Sequence, residues 1–303
     1  MNSVTLKQQL PLFQALSSEL RVQILKLIVA NSGISLRHLA EKLNMPQSTL
    51  SPHIGKLAAC GLIRVEEEPA SHGIQKCCYP KMSQILVDFG DSCNRMPLYQ
   101  AEIPIGQYSD FDVMPTCGLA TTSAFLGALD EPRLFAHPES SKAGILWFMT
   151  GYVEYILPNS SYWNTKIEKI TLTFEIGSEA PGANNDWPSR IVFSLNGTRL
   201  GEYISPGDFC DRRGRQNPPW WYGFLNQYGL FKTLTITTTG CYLDGKPLSA
   251  VTVDDLQLDS QSVMKLRFEV PAGTPLSHGL TLYGQGFGDY NQDIKMMIQY
   301  RKE

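Results

Sequence analysis

Two groups of side chains in this sequence have the types and spacing for recognition chemistry. The first lies in residues 205–228, where Asp208, Asp211, Arg212, Arg213, Trp220, Trp221, Asn226 and Gln227 crowd a stretch without helical or strand period. Asp186 and Trp187 stand in a long turn shortly before it. Tryptophan faces stack on the C–H faces of sugar rings, while carboxylates, amides and guanidinium forks hydrogen-bond their hydroxyls. A non-periodic stretch of that length is itself a mark of a functional loop. The pattern points to a small polar ligand, with a carbohydrate preferred. The same residues could instead plug the end of a β-structure, the tryptophans as core and the acid–base pairs as structural bridges.

The second group is Gln47, Ser48, Thr49, Ser51, His53 and Lys56. These are short polar donors and acceptors of the kind that read base edges and phosphates. Their placement depends on the elements around them. Leu36, Leu39, Ala40 and Leu43 fall at i, i+3, i+4 and i+7, one apolar stripe of a helix for which Ser35 is an N-cap. Asn44 and Met45 make a turn, and Pro46 suits the first position of a second helix, over about 46–60. Leu50, Ile54, Leu57 and Ala58 form the inner stripe of that helix, which leaves the polar set facing outward. Gly61 ends it, and a strand begins at Leu62. This is the layout of a helix-turn-helix that lays its second helix in the major groove of double-stranded DNA. Residues 13–28 are a further amphipathic helical stretch. Residues 62–79 read as a hairpin with a polar tip at 71–73, a wing whose His72, Gln75 and Lys76 could reach a phosphate. Glu66, Glu67 and Glu68 in its first strand oppose DNA.

Ala15, Leu16, Ser17, Ser18, Glu19, Leu20 and Arg21, followed by Ile24 and Leu25, open a pattern that continues through Leu39, Ala40, Gln47, Ser48, Thr49, Leu50, Ser51, Pro52, His53 and Leu57 to Gly61, Leu62 and Ile63. Over residues 10–90 this resembles the winged-helix domain of ArsR-type bacterial regulators. The resemblance implies a homodimer with terminal helices at its interface, and recognition residues at Gln47, Ser48, Thr49, Ser51 and His53. Two departures stand out. The metal sensors of that family carry a cysteine pair on the helix before the recognition helix, whereas residues 35–43 contain none, which argues against arsenic or cadmium sensing there. Pro52 sits inside the recognition helix, where it deletes one backbone hydrogen bond and alters the docking angle.

With 303 residues, two domains are expected, and an apolar fraction of 43% is ample for their cores. No run of 18 apolar residues marks a membrane span, and the first residues lack the pattern of a signal peptide. A cytoplasmic chain is expected, in which the sequons at Asn159 and Asn196 carry no glycan. The seven cysteines show no CxxC spacing. The adjacent Cys77 and Cys78 suit packing better than chelation, so no metal and no cofactor are expected. A zinc or redox role for Cys77, Cys78 and Cys93 stays open. Residues 1–92 carry a net charge of +2 and the rest −5. A mildly basic module binds DNA weakly alone, which favours a dimer, and an acidic partner domain is held away from phosphates.

Residues 82–89 pattern as a helix, and the division of the chain falls shortly after it. The expected domains are 1–92, a linker over 93–101, and 102–303. Beyond the linker the period changes to two: residues 169–176, 190–195, 232–238, 263–270 and 293–300 alternate, and 144–149 and 151–156 are two further strand candidates. Asn196–Gly197 and Asp244–Gly245 are hairpin-turn pairs. One short helix is expected near 121–128. The fold class is thus α+β in two domains, an N-terminal winged helix, mostly α with a β-wing, and a C-terminal all-β sandwich of jelly-roll type.

An enzyme is not expected. Asp186, Glu179, Asp208 and Asp211 are carboxylates that a glycoside-cleaving cleft would need in pairs. No nucleophile motif, metal-spaced histidines or cofactor loop accompanies them, and the glycine-rich residues 284–291 lack the Gly-Lys-Ser/Thr of a phosphate loop. The two roles left for the second domain are ligand sensor and dimerisation or protein-interaction module.

Overall fold

The computed structural model describes residues 10–69, 74–81, 98–160, 165–258 and 262–302. His72, Cys93, the expected helix over 82–89 and most of the expected linker lie outside them. The chain divides into two compact units, residues 1–95 and 96–303.

In the first unit, helices α1 (Leu10–Leu16) and α2 (Glu19–Ala30) are followed by a short strand β1 (Ile34–Ser35), helices α3 (Leu36–Leu43) and α4 (Gln47–Ala59), and strands β2 (Ile63–Pro69) and β3 (Ile74–Pro80). The single helix expected over 13–28 is in fact two. It breaks at Ser17 and Ser18, where the Arg21 guanidinium donates to the carbonyls of Ala15 and Gln14 that the break leaves open. Ser35 caps α3 by accepting from the His38 N–H at 3.2 Å. Asn44 takes the left-handed conformation, φ 51°, that ends α3. Pro46 stands one residue earlier than expected, at the cap position with ψ 143°, so α4 starts at Gln47. The expected inner stripe is the core: Leu39, Leu50, Ile54 and Leu57 are buried with Ile24, Ile28, Ile34, Leu62 and Cys78. The strands form one antiparallel sheet in the order β1-β3-β2.

The second unit is all antiparallel. Its strands are β4 (Leu98–Ile103), β5 (Asp110–Ala120), β6 (Ile145–Pro158), β7 (Thr165–Gly177), β8 (Ser189–Leu195), β9 (Thr198–Ser205), β10 (Leu230–Thr237), β11 (Gly240–Leu243), β12 (Lys246–Ser249), β13 (Val263–Val270), β14 (Leu280–Tyr283) and β15 (Ile294–Lys302). One layer runs β12-β11-β10-β7-β15-β4 and the other β9-β8-β13-β6-β5, and β14 joins β7 to β6. Phe174 of β7 meets Phe193 of β8 at 5.6 Å and Phe268 of β13 at 4.9 Å, ring to ring across the two layers. That contact between strands that share no ladder defines a sandwich.

Three expectations need correction. The two strands foreseen over 144–149 and 151–156 are the single β6, which passes through Gly151 at φ 106°, where a Cβ would sit 1.8 Å from the Asp112 carbonyl. No helix forms over 121–128: the Thr121 hydroxyl accepts from the Ser123 and Ala124 N–H groups and closes a turn instead. β4 begins at Leu98, so residues 98–101 are strand paired with β15 and not linker.

Candidate functional site

Helix α4 presents its outer face as expected for most of the polar set. Gln47, Ser48, Thr49, Ser51 and Lys56 are exposed, and α4 contains no acidic residue. The Ser51 hydroxyl is engaged, donating to the Gln47 carbonyl one turn back at 2.9 Å. His53 is half-buried, and its Nδ1 is sealed from solvent without a partner among the described residues, so only part of its ring is presented. Lys76 is exposed on β3 and Gln75 half-buried beside it. Glu68, one of the three acids of β2, is bonded by the Tyr79 hydroxyl, which holds its carboxyl below the usual range. Cys77 and Cys78 are buried, and desolvation pushes the Cys78 thiol up to about 11, consistent with packing.

In the β-domain, the ends of β7, β9 and β14 and the start of β10 bring three connections together: residues 178–188, 206–229 and 284–293. The structure sorts the expected ligand residues into an inner and an outer set. Trp221 is fully buried among Phe125, Trp147 and Phe287, at 5.4, 6.0 and 5.0 Å, and its indole N–H donates to the Asn226 carbonyl. The Arg213 guanidinium is spent on the carbonyls of Asn217, Pro218 and Trp221. Gln227 is buried and donates to the carbonyls of Tyr222 and Leu225. These three hold the loop in shape; Trp221 and Gln227 are buried, while Arg213 remains exposed.

Asn226 and Asp208 belong to a buried polar hub that sequence alone did not assemble. The Asn226 amide donates to Glu179 Oε2 at 3.2 Å and to Thr281 Oγ1 at 3.0 Å, and Thr116 donates to Glu179 Oε1 at 3.1 Å. Asp208 Oδ2 accepts from the Ala180 N–H at 3.2 Å, while Asp208 Oδ1, Ser178 Oγ and Tyr283 Oη are buried without a hydrogen-bond partner among the described residues. Burial pushes the Glu179 and Asp208 carboxyls well above the carboxylate range, and the nearby Asp208 adds repulsion at Glu179. Glu175, also buried, accepts from the N–H groups of Gly229, Asp289 and Tyr290 at 2.8 to 2.9 Å. Desolvation outweighs those donors and raises it to about 8. Gly288 must be glycine, since a Cβ there would stand 2.4 Å from Glu175 Oε1.

The outer set faces solvent. Asp211 is exposed and accepts from the Tyr228 hydroxyl, and Arg212 forks onto Asp289 while lying 3.7 Å over the Tyr228 ring. Asp186 is exposed; Trp187 is half-buried, stacked on His278 at 4.5 Å, with its N–H on the Glu179 carbonyl. Trp220 is half-buried against Phe125 and donates to the Thr122 carbonyl at 2.6 Å. Among the described residues the most exposed aromatics were not foreseen: Tyr222 (54%) and Phe224 (66%) stack on each other at 5.4 Å and 10° on the turn that Gln227 clamps. Their signal was the run Trp220, Trp221, Tyr222, Phe224, whose members cannot all be core. Among the described residues, no group of three or more His, Cys, Asp or Glu side chains could hold a metal ion, and no helix is long and apolar enough to cross a membrane.

Residues 17–64 match the model of a winged helix-turn-helix DNA-binding family. That stretch contains α2, α3 and α4, so the match supports DNA binding by the first unit. No curated protein matches the chain. Among solved structures, the CBM36-1 domain of a multidomain xylanase from the hindgut metagenome of Trinervitermes trinervoides aligns over 66% of this chain and 96% of its own, at 9% identity and a TM-score of 0.29. The Agl-KA catalytic domain aligns over 71% of this chain and 30% of its own (11% identity, TM-score 0.28). The mosquito-larvicidal Cry4Aa toxin of Bacillus thuringiensis aligns over 79% and 30% (8% identity, TM-score 0.26). The chain thus spans under a third of the latter two, and at these scores none of the three assigns a ligand.

Proposed function

We propose that the chain is an ArsR-type, DNA-binding transcriptional regulator that acts as a homodimer, with α4 in the major groove of its operator and the β-domain responding to a small polar ligand, a carbohydrate being the favoured class. The observation that supports the DNA half is the acid-free, exposed face of α4 inside the stretch that matches the DNA-binding model. Gln47→Ala and Thr49→Ala are each expected to weaken binding to a selected duplex by about 1–3 kcal/mol, as loss of a base contact does. Lys56→Ala is expected to weaken binding to all sequences alike and to lower the salt slope by about 1. Unchanged affinities in a gel-shift titration would move the reading surface off α4.

The ligand half rests on Tyr222 and Phe224. A turn held by Gln227, Arg213 and Trp221 is rigid, and a rigid turn that exposes two aromatic rings is shaped for contact with something outside the chain. Residues 216–231 contain no charged side chain, which suits a neutral ring such as a pyranose. In thermal-shift measurements with a panel of neutral oligosaccharides, at least one is expected to stabilise the native chain, and Tyr222→Ala with Phe224→Ala to abolish that shift without lowering the unliganded melting point. Silence from every sugar sinks the carbohydrate reading. The same exposed pair also suits a protein contact, in which case the double variant would instead turn a dimer into a monomer in sedimentation.

A further inference from the structure

Gly55 lies in the middle of α4 and is exposed. A Cβ built on it meets nothing within 4 Å, and its φ is not positive. Neither packing nor backbone conformation therefore requires a glycine here, unlike Gly288 against Glu175. After proline, glycine is the least favourable residue in a helix interior. α4 nevertheless keeps both, with Pro52 three residues away on the same exposed side. The fold gains nothing from that choice.

We infer that Gly55 is the point where the sugar–phosphate backbone of duplex DNA approaches α4 most closely, and that the missing side chain is what admits it. The inference rests on the DNA-binding reading and adds to it a residue that makes no hydrogen bond. Three features on this helix favour a phosphodiester strand as the visitor. The ammonium of Lys56 is exposed next to Gly55, α4 carries no carboxylate to repel phosphates, and the helix falls within the stretch that matches a DNA-binding model. A bare helix backbone lets a strand come nearer than any side chain would, which is how glycine serves close backbone approaches generally. An alanine methyl would stand in that space.

The test separates the fold from the interface because the two respond with opposite signs. A duplex is first selected from a random-sequence library by the native full-length chain, and affinities are then read by fluorescence anisotropy. Gly55→Ala is expected to raise the melting temperature of the first unit by about 4 °C or more, yet to bind the selected duplex about tenfold more weakly; Gly55→Leu is expected to bind more weakly still. Equal or tighter binding by Gly55→Ala overturns the inference. A lower melting temperature for Gly55→Ala also overturns it, because the glycine would then be serving the fold. If the native chain selects no duplex at all, the DNA-binding reading falls first, and this inference with it.

Discussion

Raising the pH from about 5 to about 8.5 is expected to destabilise the β-domain, and Asp208→Asn is expected to reduce that response, leaving the part that buried Glu175 and Glu179 carry. Glu179 and Asp208 are buried, and among the described residues no cation hydrogen-bonds either one. In the unfolded chain both would release their protons near pH 4. In the folded domain burial, joined at Glu179 by repulsion from Asp208, keeps a proton on the pair, with Asp208 pushed up to about 8. The folded state therefore holds more protons than the unfolded state across that window. Its stability is full below about pH 4 and is lost as the pH rises through about 8. One shared proton is worth about 1.4 kcal/mol per pH unit, so the loss over three units is about 4 kcal/mol. Asparagine keeps the oxygen that accepts from Ala180 and cannot ionise, so Asp208→Asn should be the more stable protein at high pH. All five tryptophans lie beyond residue 146, so urea unfolding followed by tryptophan fluorescence reports this domain alone. A stability that climbs with pH would show that both carboxyls are ionised in the fold.

Trp221→Ala is expected to cost about 3–5 kcal/mol, the range for emptying a large aromatic site in a core. The indole fills the space between Phe125, Trp147 and Phe287, and it sits between two polar clamps. Its backbone carbonyl takes the Arg213 guanidinium, and its N–H holds the Asn226 carbonyl, which keeps the Asn226 amide on Glu179. Removal therefore leaves a void and loosens the hub beneath it. Trp220→Ala, at the half-buried edge, should cost less than half as much in the same urea titration. A Trp221→Ala protein as stable as the native chain would mean that the loop closes without its plug.

How much of this could be read from the residues follows from what each residue type is obliged to do. Strands with one buried face must alternate, so β7, β10, β13 and β15 were legible. The pairs Asn196–Gly197 and Asp244–Gly245 were legible because their tight turns need consecutive left-handed residues, found at φ 49° and 77° and at φ 51° and 77°. The helix-turn-helix was legible for the same kind of reason, a stripe, a cap and a turn in close succession. The direction of each tryptophan was not, because an indole serves equally as core or as contact surface. Arg213 was misleading in a similar way: a charge suggests a free fork, but this one, though exposed, is bound to three carbonyls of its own loop. The hub could not be assembled at all, since Asn226 meets Glu179 and Thr281 across sequence separations of 47 and 55 residues. No local pattern encodes that meeting.

β15 enters the sheet between β4 and β7, and the Asp293 N–H closes onto the Glu102 carboxylate across 191 residues. On the ribosome, then, β4 waits for its partner strand β15 until nearly all of the β-domain has been made, and loops of such length close slowly. The helical unit, whose contacts are local, completes much earlier. For an interval in every round of synthesis, the nascent chain carries a finished DNA reader tethered to an unfinished sandwich. During that interval the unpaired strands of the sandwich are the part most in need of protection from aggregation.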